Sequence, residues 1–163
     1  MIHWVRSRKE VRPMPDVLRE IGMIARALDS ISNVEFKQYQ LTKGQYLYLV
    51  RICEHPGIIQ EDLGKLIMVE RSTVIRAVQK LVAQGLVEKR PDATNHKIRH
   101  LFATPQAQPI YARVIAENTH STQVALQDLT PTEQVQLGQL LQKARLNVAA
   151  DWEAVQRGQT RHY

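Results

Sequence analysis

Residues 57–104, GIIQEDLGKLIMVERSTVIRAVQKLVAQGLVEKRPDATNHKIRHLFAT, constrain the fold more than any other part of the chain. Over 60–68, Leu63, Leu66 and Ile67 recur at the three-and-four spacing that gathers apolar side chains on one inward face of a helix. Ile59, just before it, offers no side-chain acceptor, so this helix starts without a side-chain cap. After a turn at Met68 and Val69, the stretch 71–84 repeats the pattern with Val74, Val78 and Leu81. Gly85 then supplies a residue free to take the left-handed conformation that closes a helix. Two extended segments follow, 86–90 and 98–103, joined by PDATNHK with its proline, aspartate and asparagine turn formers. Helix, turn, helix, glycine stop and hairpin, in that order, predict a helix-turn-helix closed by a β-wing.

The same stretch holds most of the charge. From Arg71 onward, Arg71, Arg76, Lys80, Lys89, Arg90, Lys97 and Arg99 stand against Glu88 and Asp92, a net +5 in a chain whose formal charge is +6 and whose pI is near 9.7. A basic chain favours an acidic partner, and clustering on one helix and one hairpin favours double-stranded DNA over an anionic membrane. No run of 18 apolar residues exists, so no transmembrane helix is expected. The start of the chain, MIHWVRSRKEVRPMP, is basic without a following apolar stretch and reads as an arm rather than a secretory signal. Cys53, the single cysteine, can form no internal disulfide and fits a reducing, cytoplasmic compartment.

Outside this region the patterns are helical. Val17, Ile21, Ile24, Leu28 and Ile31 make one apolar stripe over 16–34, entered at Pro15 and Asp16. Thr42 with Gln45 has the pattern of a capping box, and Leu41 with Tyr46 that of a hydrophobic staple, opening a helix through Leu47, Leu49, Val50 and Ile52. That helix stops at His55, Pro56 and Gly57. Thr104 and Pro105 read as an N-cap with proline at the first helical position. The helix they open runs through Ile110, Val114, Ile115 and Val124 to Leu129, with Pro109 kinking or delaying it. Thr130, Pro131 and Glu133 form a second capping box, and Leu137, Leu141, Ala144 and Val148 give the last helix its apolar set, with order ending around Gly158.

A small winged module buries its own helices against its own hairpin and leaves the stripes of both arms uncovered. The same arms of a second copy would cover them, which predicts a two-fold homodimer. The expected fold is mainly α with a small β-hairpin wing (α+β), a winged helix-turn-helix with N- and C-terminal dimerisation helices. Its regions are an arm and dimerisation helix (1–40), a DNA-binding region (41–104) and C-terminal dimerisation helices with a tail (105–163), in one compact chain.

The run LTKGQYLYLVRICEHPGIIQEDLGKLIMVERSTVIRAVQKLVAQGLVEKR resembles the MarR family of bacterial transcription regulators, and the resemblance extends over residues 16–148. Its most specific parts are ERSTVIRAVQKL, the QGLVEKR that follows, and a wing ending before a threonine-capped helix. The resemblance implies a homodimer whose recognition helices enter major grooves of a pseudo-palindromic operator. It also implies repression relieved by a small phenolic or other anionic aromatic ligand in a crevice between arms and winged module; no cofactor is implied. Tyr39, Tyr46 and Trp4 are candidate linings of that crevice, and ordinary core packing is the other reading of these aromatics. Where the family's wing commonly reads Asp-Arg-Arg, this chain has Asn95, His96 and Lys97, so the usual acid-to-arginine brace is missing. Ile59 stands where a capping threonine or serine is usual, and Ala103 replaces the leucine before Thr104.

The candidate DNA-reading face of 71–84 comprises Arg71, Ser72, Thr73, Ile75, Arg76, Gln79 and Lys80. Ser72 and Thr73 can bond base edges or phosphates, Ile75 can touch a thymine methyl, and Arg71 and Arg76 can read guanine or grip phosphate. Lys80, Lys89 and Arg90 are phosphate contacts or simply solvated charge, and Asn95, His96, Lys97 and Arg99 are the wing's candidates. Two rival readings remain: a cysteine-based redox-sensing regulator acting through Cys53, and a winged interaction or architectural module without a ligand. Cys53 on an apolar helix also reads as a buried structural thiol. His96 and His100, four apart on a strand, are separated by about 13 Å and cannot share one metal ion. No metalloprotease, nucleophile-elbow, phosphate-loop or C-x-x-C pattern occurs, so no enzyme is expected.

Overall fold

The computed structural model describes residues 16–41 and 44–162. Its elements are α1 (Val17–Glu35), a 3-10 turn (Lys37–Tyr39), α2 (Gln45–Glu54), α3 (Gln60–Ile67), α4 (Arg71–Ala83), β1 (Val87–Pro91), β2 (Arg99–Ala103), α5 (Ala107–Leu126) and α6 (Pro131–Gln156). The expected α+β winged helix-turn-helix is therefore present. Trp4 and the expected cap Thr42 lie outside the described residues.

The large side chains with no exposure are Phe36, Leu41, Leu49, Ile52, Leu63, Val74, Val78, Leu81, Leu101 and Val114, all within residues 36–114. Each such burial contributes about 1.5–3 kcal/mol, so the central module is where the fold is held together. Helices α1 and α6 contribute almost nothing to this core: α6 buries none of its 26 residues and α1 only Ser32, whereas α5 adds Ala107, Ile110 and Val114. Val17, Leu18, Ile21, Ile24, Ile31 and Val34 on α1, and Val135, Leu137, Leu140, Leu141, Leu146 and Val148 on α6, remain exposed. No described helix is long and apolar enough to cross a membrane.

Helix α3 meets α4 differently from the periodic pattern. Leu63 is buried and Ile67 half-buried, but Leu66 is 46% exposed, and Gly64 takes the inward position instead. A Cβ on Gly64 would lie 3.1 Å from the Val69 carbonyl oxygen and 3.2 Å from Val74 Cγ2, so glycine is what lets the two helices come this close. Met68 ends α3 in the left-handed region at φ 55°, and its N–H donates back to the Gly64 and Lys65 carbonyls. As expected, Ile59 provides no side-chain cap.

Several local expectations shift. The Gln45 side chain does not reach back to cap α2: it is buried with neither amide atom hydrogen-bonded, and Gly44, at φ 72°, is the residue that enters the helix. Thr104 does not cap α5. Its hydroxyl donates to the Gly85 carbonyl at 2.7 Å, holding the hairpin's exit against the end of α4, and α5 begins at Ala107. Pro109 then falls in the first turn of α5, where a missing N–H costs no helical bond. The Thr130–Glu133 capping box forms in full, with Pro131 in the first turn of α6. Gly158, at φ 85°, lies just beyond that helix.

β1 and β2 pair antiparallel with Val87 opposite Ala103 and Pro91 opposite Arg99. A third, one-residue strand joins them: Ile59 bridges His100, Leu101 donates to the Ile58 carbonyl at 2.9 Å, and Gly57 donates to the Leu101 carbonyl at 2.8 Å. The wing is thus stitched to the loop between α2 and α3, with Leu101 buried beneath it.

Candidate nucleic-acid interface

Helix α4 sorts its side chains by chemistry. Val74, Ala77, Val78 and Leu81 are buried, and this packing fixes the rotation of the helix. Arg71, Ser72, Arg76, Gln79 and Lys80 are exposed, while Thr73 and Ile75 are half-buried where the two faces meet. Two rows of side chains four residues apart result: Arg71, Ile75 and Gln79, and beside them Ser72, Arg76 and Lys80. All seven predicted residues therefore lie on or at the edge of one outward face. Arg76 Nε makes one loose contact of 3.4 Å to the Ser72 carbonyl. Among the described residues, Arg71, Arg76 and Lys80 enter no ion pair, leaving three cations available to an anionic partner.

The wing brings together most of its predicted residues and reassigns one. Asn95, His96, Lys97 and Arg99 are exposed at and beside the hairpin tip. Arg90 is engaged within the wing: its Nε donates to Glu88 Oε1 at 2.8 Å, its Nη2 pairs with the same oxygen, and its guanidinium lies 4.3 Å from the Phe102 ring centre. The Glu88 carboxylate offsets its charge and the Phe102 ring fixes its plane, so Arg90 is tied into the wing's own structure.

The missing Asp-Arg brace has a replacement that sequence reasoning did not find. Asp92 Oδ1 accepts from the Thr94 N–H at 2.9 Å, the Thr94 hydroxyl at 2.8 Å and the Asn95 N–H at 2.8 Å. Asp92 Oδ2 faces His100 Nε2 at 2.9 Å, and His100 Nδ1 faces the Gly57 carbonyl at 2.7 Å. These donors hold the Asp92 carboxyl well below the usual carboxylate range, and the carboxylate beside it pushes the His100 imidazole up. The available signal was an acid and a histidine at opposite ends of a short turn.

Of the aromatics proposed to line a crevice, the two described ones, Tyr39 and Tyr46, are placed differently. Tyr46 is half-buried, its ring 5.2 Å from Phe36 and its hydroxyl 3.5 Å from Asp29 Oδ1, and burial raises its phenol pKa. It lines a crevice of about 530 Å³ with Ile24, Leu28, Ser32, Glu117 and Leu137, between α1, α5 and α6. Tyr39, like Tyr46, packs against the core, but it does not line that crevice. Cys53 is half-buried against the core, and burial together with Glu54 pushes its thiol up, away from the reactive thiolate.

A three-helix module with a basic outward helix and a braced wing, flanked by open apolar arms, defines the winged helix-turn-helix class. Residues 39–98 match the sequence profile of the MarR family. An uncharacterized HTH-type transcriptional regulator of Bacillus subtilis (strain 168), YybA, is 53% identical over 92% of this chain and all of its own length. The solved structure of the transcriptional regulator SlyA is 55% identical, covering 86% of this chain and 99% of its own, with a TM-score of 0.84. A MarR-family regulator from Listeria monocytogenes, solved in complex with a 26-mer DNA, is 47% identical over 92% of this chain and all of its own, with a TM-score of 0.89. The chain belongs to the MarR family; it is a transcription regulator and not an enzyme.

Proposed function

We propose that the protein is a cytoplasmic, homodimeric repressor that places α4 of each protomer in a major groove of a pseudo-palindromic operator and sets its wing against the flanking backbone. The observation that carries this reading is the outward face of α4, where Arg71, Ser72, Arg76, Gln79 and Lys80 stand exposed together on a helix fixed by its buried side. The DNA complex of the Listeria relative supports it. Arg71 and Arg76 read bases or grip phosphate, and Ser72, Thr73, Ile75, Gln79 and Lys80 complete the contact. Asn95, His96, Lys97 and Arg99 serve the wing. Symmetry then brings two recognition helices to successive grooves, about 34 Å apart along B-DNA.

The open apolar faces of α1 and α6 support the dimer, because the described residues of one chain leave them in water and a two-fold partner would bury both. A small aromatic ligand in the Tyr46 crevice between α1, α5 and α6 would sit where it alters the spacing of the two modules. It releases DNA if it binds the non-DNA arrangement more tightly. Selection of genomic fragments by the purified protein at fixed salt, with and without salicylate-like compounds, tests both parts. Recovery of discrete fragments that the compounds displace supports the reading, and retention of random duplex with equal affinity overturns it.

A further inference from the structure

His100 sits in the wing between two groups that both require a proton from it. Its Nδ1 lies 2.7 Å from the Gly57 carbonyl oxygen and its Nε2 lies 2.9 Å from Asp92 Oδ2. A carbonyl and a carboxylate are acceptors only, and a neutral imidazole carries a single N–H. Either neutral tautomer therefore turns a lone pair toward one of the two oxygens. The imidazolium, with an N–H on each nitrogen, satisfies both.

Each end of this bridge is anchored. Gly57 donates its own N–H to the Leu101 carbonyl at 2.8 Å, which fixes the α2–α3 junction against β2. On the other side Asp92 holds the loop through Thr94 and Asn95, while Asp92 N–H to Ile98 and Ile98 N–H to Asn95 close it. The exposed tip, Asn95, His96 and Lys97, rides on that closed loop. We propose that protonated His100 is a positioning residue for the wing: as an imidazolium it locks residues 92–98 to the α2–α3 junction, and its deprotonation frees the loop and weakens the wing's grip on DNA. This rests on the reading of the wing as a DNA contact.

The surrounding elements bring few competing charges. On β1 the cross-strand neighbour is Arg90, which is tied to Glu88 and Phe102. Arg99 adjoins it on β2, and Lys97 and His96 belong to the loop; all three are exposed. At the α2–α3 junction His55 and Glu54 are exposed as well. Asp92 is the charge that acts on the imidazole, and its pairing raises the histidine's pKa above its unfolded value. The brace is accordingly complete below the unfolded histidine pKa and is lost as pH rises through the raised folded one.

The test uses the full-length protein, a duplex that it selects from a random-sequence library, and the variants His100→Gln and His162→Gln. NMR on the free protein follows the His100 ring and the amide exchange of Thr94 and Asn95 against pH. Measured against the base-catalysed rise of unprotected amides, the protection of both amides should fall through the His100 midpoint, and protection indifferent to that midpoint overturns the brace. For the duplex, wild-type Kd should rise by about tenfold through the same midpoint, and the salt dependence should lose about one phosphate contact per wing. His100→Gln should bind with a flat profile over that range, and His162→Gln, in the exposed tail beyond α6, should keep the wild-type profile. A wild-type profile in His100→Gln, or its loss in His162→Gln, overturns the proposal. Failure to select any duplex at any pH overturns the DNA reading instead, and the NMR measurement then still decides the brace.

Discussion

Replacing Gly64 by alanine sets two effects of known size against each other at the contact that orients α4. In the interior of α3 the change favours the helix by about 1 kcal/mol, because glycine loses more backbone freedom on folding. Against this, the new methyl falls 3.1 Å from the Val69 carbonyl oxygen and 3.2 Å from Val74 Cγ2. Neither neighbour can give way cheaply: Val69 is tied back by its N–H to the Gly64 carbonyl at 3.0 Å, and Val74 is fully buried. Overfilling a packed contact by one methyl costs about 1–3 kcal/mol, so the net should be a loss of about 1 kcal/mol. Urea unfolding should show a lower midpoint at unchanged slope. The relief available is to open the turn, which tilts α4 and should weaken DNA binding as well. A valine, larger and branched, should lose about 3 kcal/mol. A raised midpoint for Gly64→Ala would refute the close approach of α3 and α4.

Three further outcomes follow from the arms, the recognition face and the thiol. Leu140 is 62% exposed on α6 and contributes little to one chain, so Leu140→Glu should leave the module folded yet shift sedimentation from twice 18.7 kDa toward the single chain; an unchanged mass contradicts burial of this face in a dimer. Arg76→Ala should leave stability unchanged and weaken binding to the selected duplex by about 1–3 kcal/mol if Arg76 reads a base, and unaltered affinity removes it from the interface. Peroxide should leave DNA binding of the wild type and of Cys53→Ser alike, because burial and Glu54 disfavour the thiolate; release that a reductant reverses, and that the variant lacks, would establish the redox reading.

What the sequence made legible was whatever depends on local periodicity and local caps. The apolar spacing of Val74, Val78 and Leu81 placed the buried side of α4, and Thr130 with Glu133 marked the start of α6, because both signals act within one or two turns. What it concealed depends on partners distant in the chain. Thr104 looks like a cap until the hairpin returns it to Gly85, where the carbonyl captures its hydroxyl. Leu66 matches the apolar stripe, yet the tightest helix contact is made by Gly64, which has no side chain for a hydrophobic pattern to register. His100 finds Gly57 only through the third strand, 43 residues away in sequence. The open faces of α1 and α6 were legible as stripes, and their lack of cover among the described residues of one chain became visible only once the core was confined to residues 36–114.

The proposed function requires two copies of α4 to read one duplex together. Hydroxyl-radical footprinting on a selected genomic fragment, at fixed ionic strength, tests it most directly. Two discrete protected blocks on one face of the DNA, with centres about one helical turn or 34 Å apart, are the predicted result. A single block, or protection spread evenly along the fragment, would contradict it.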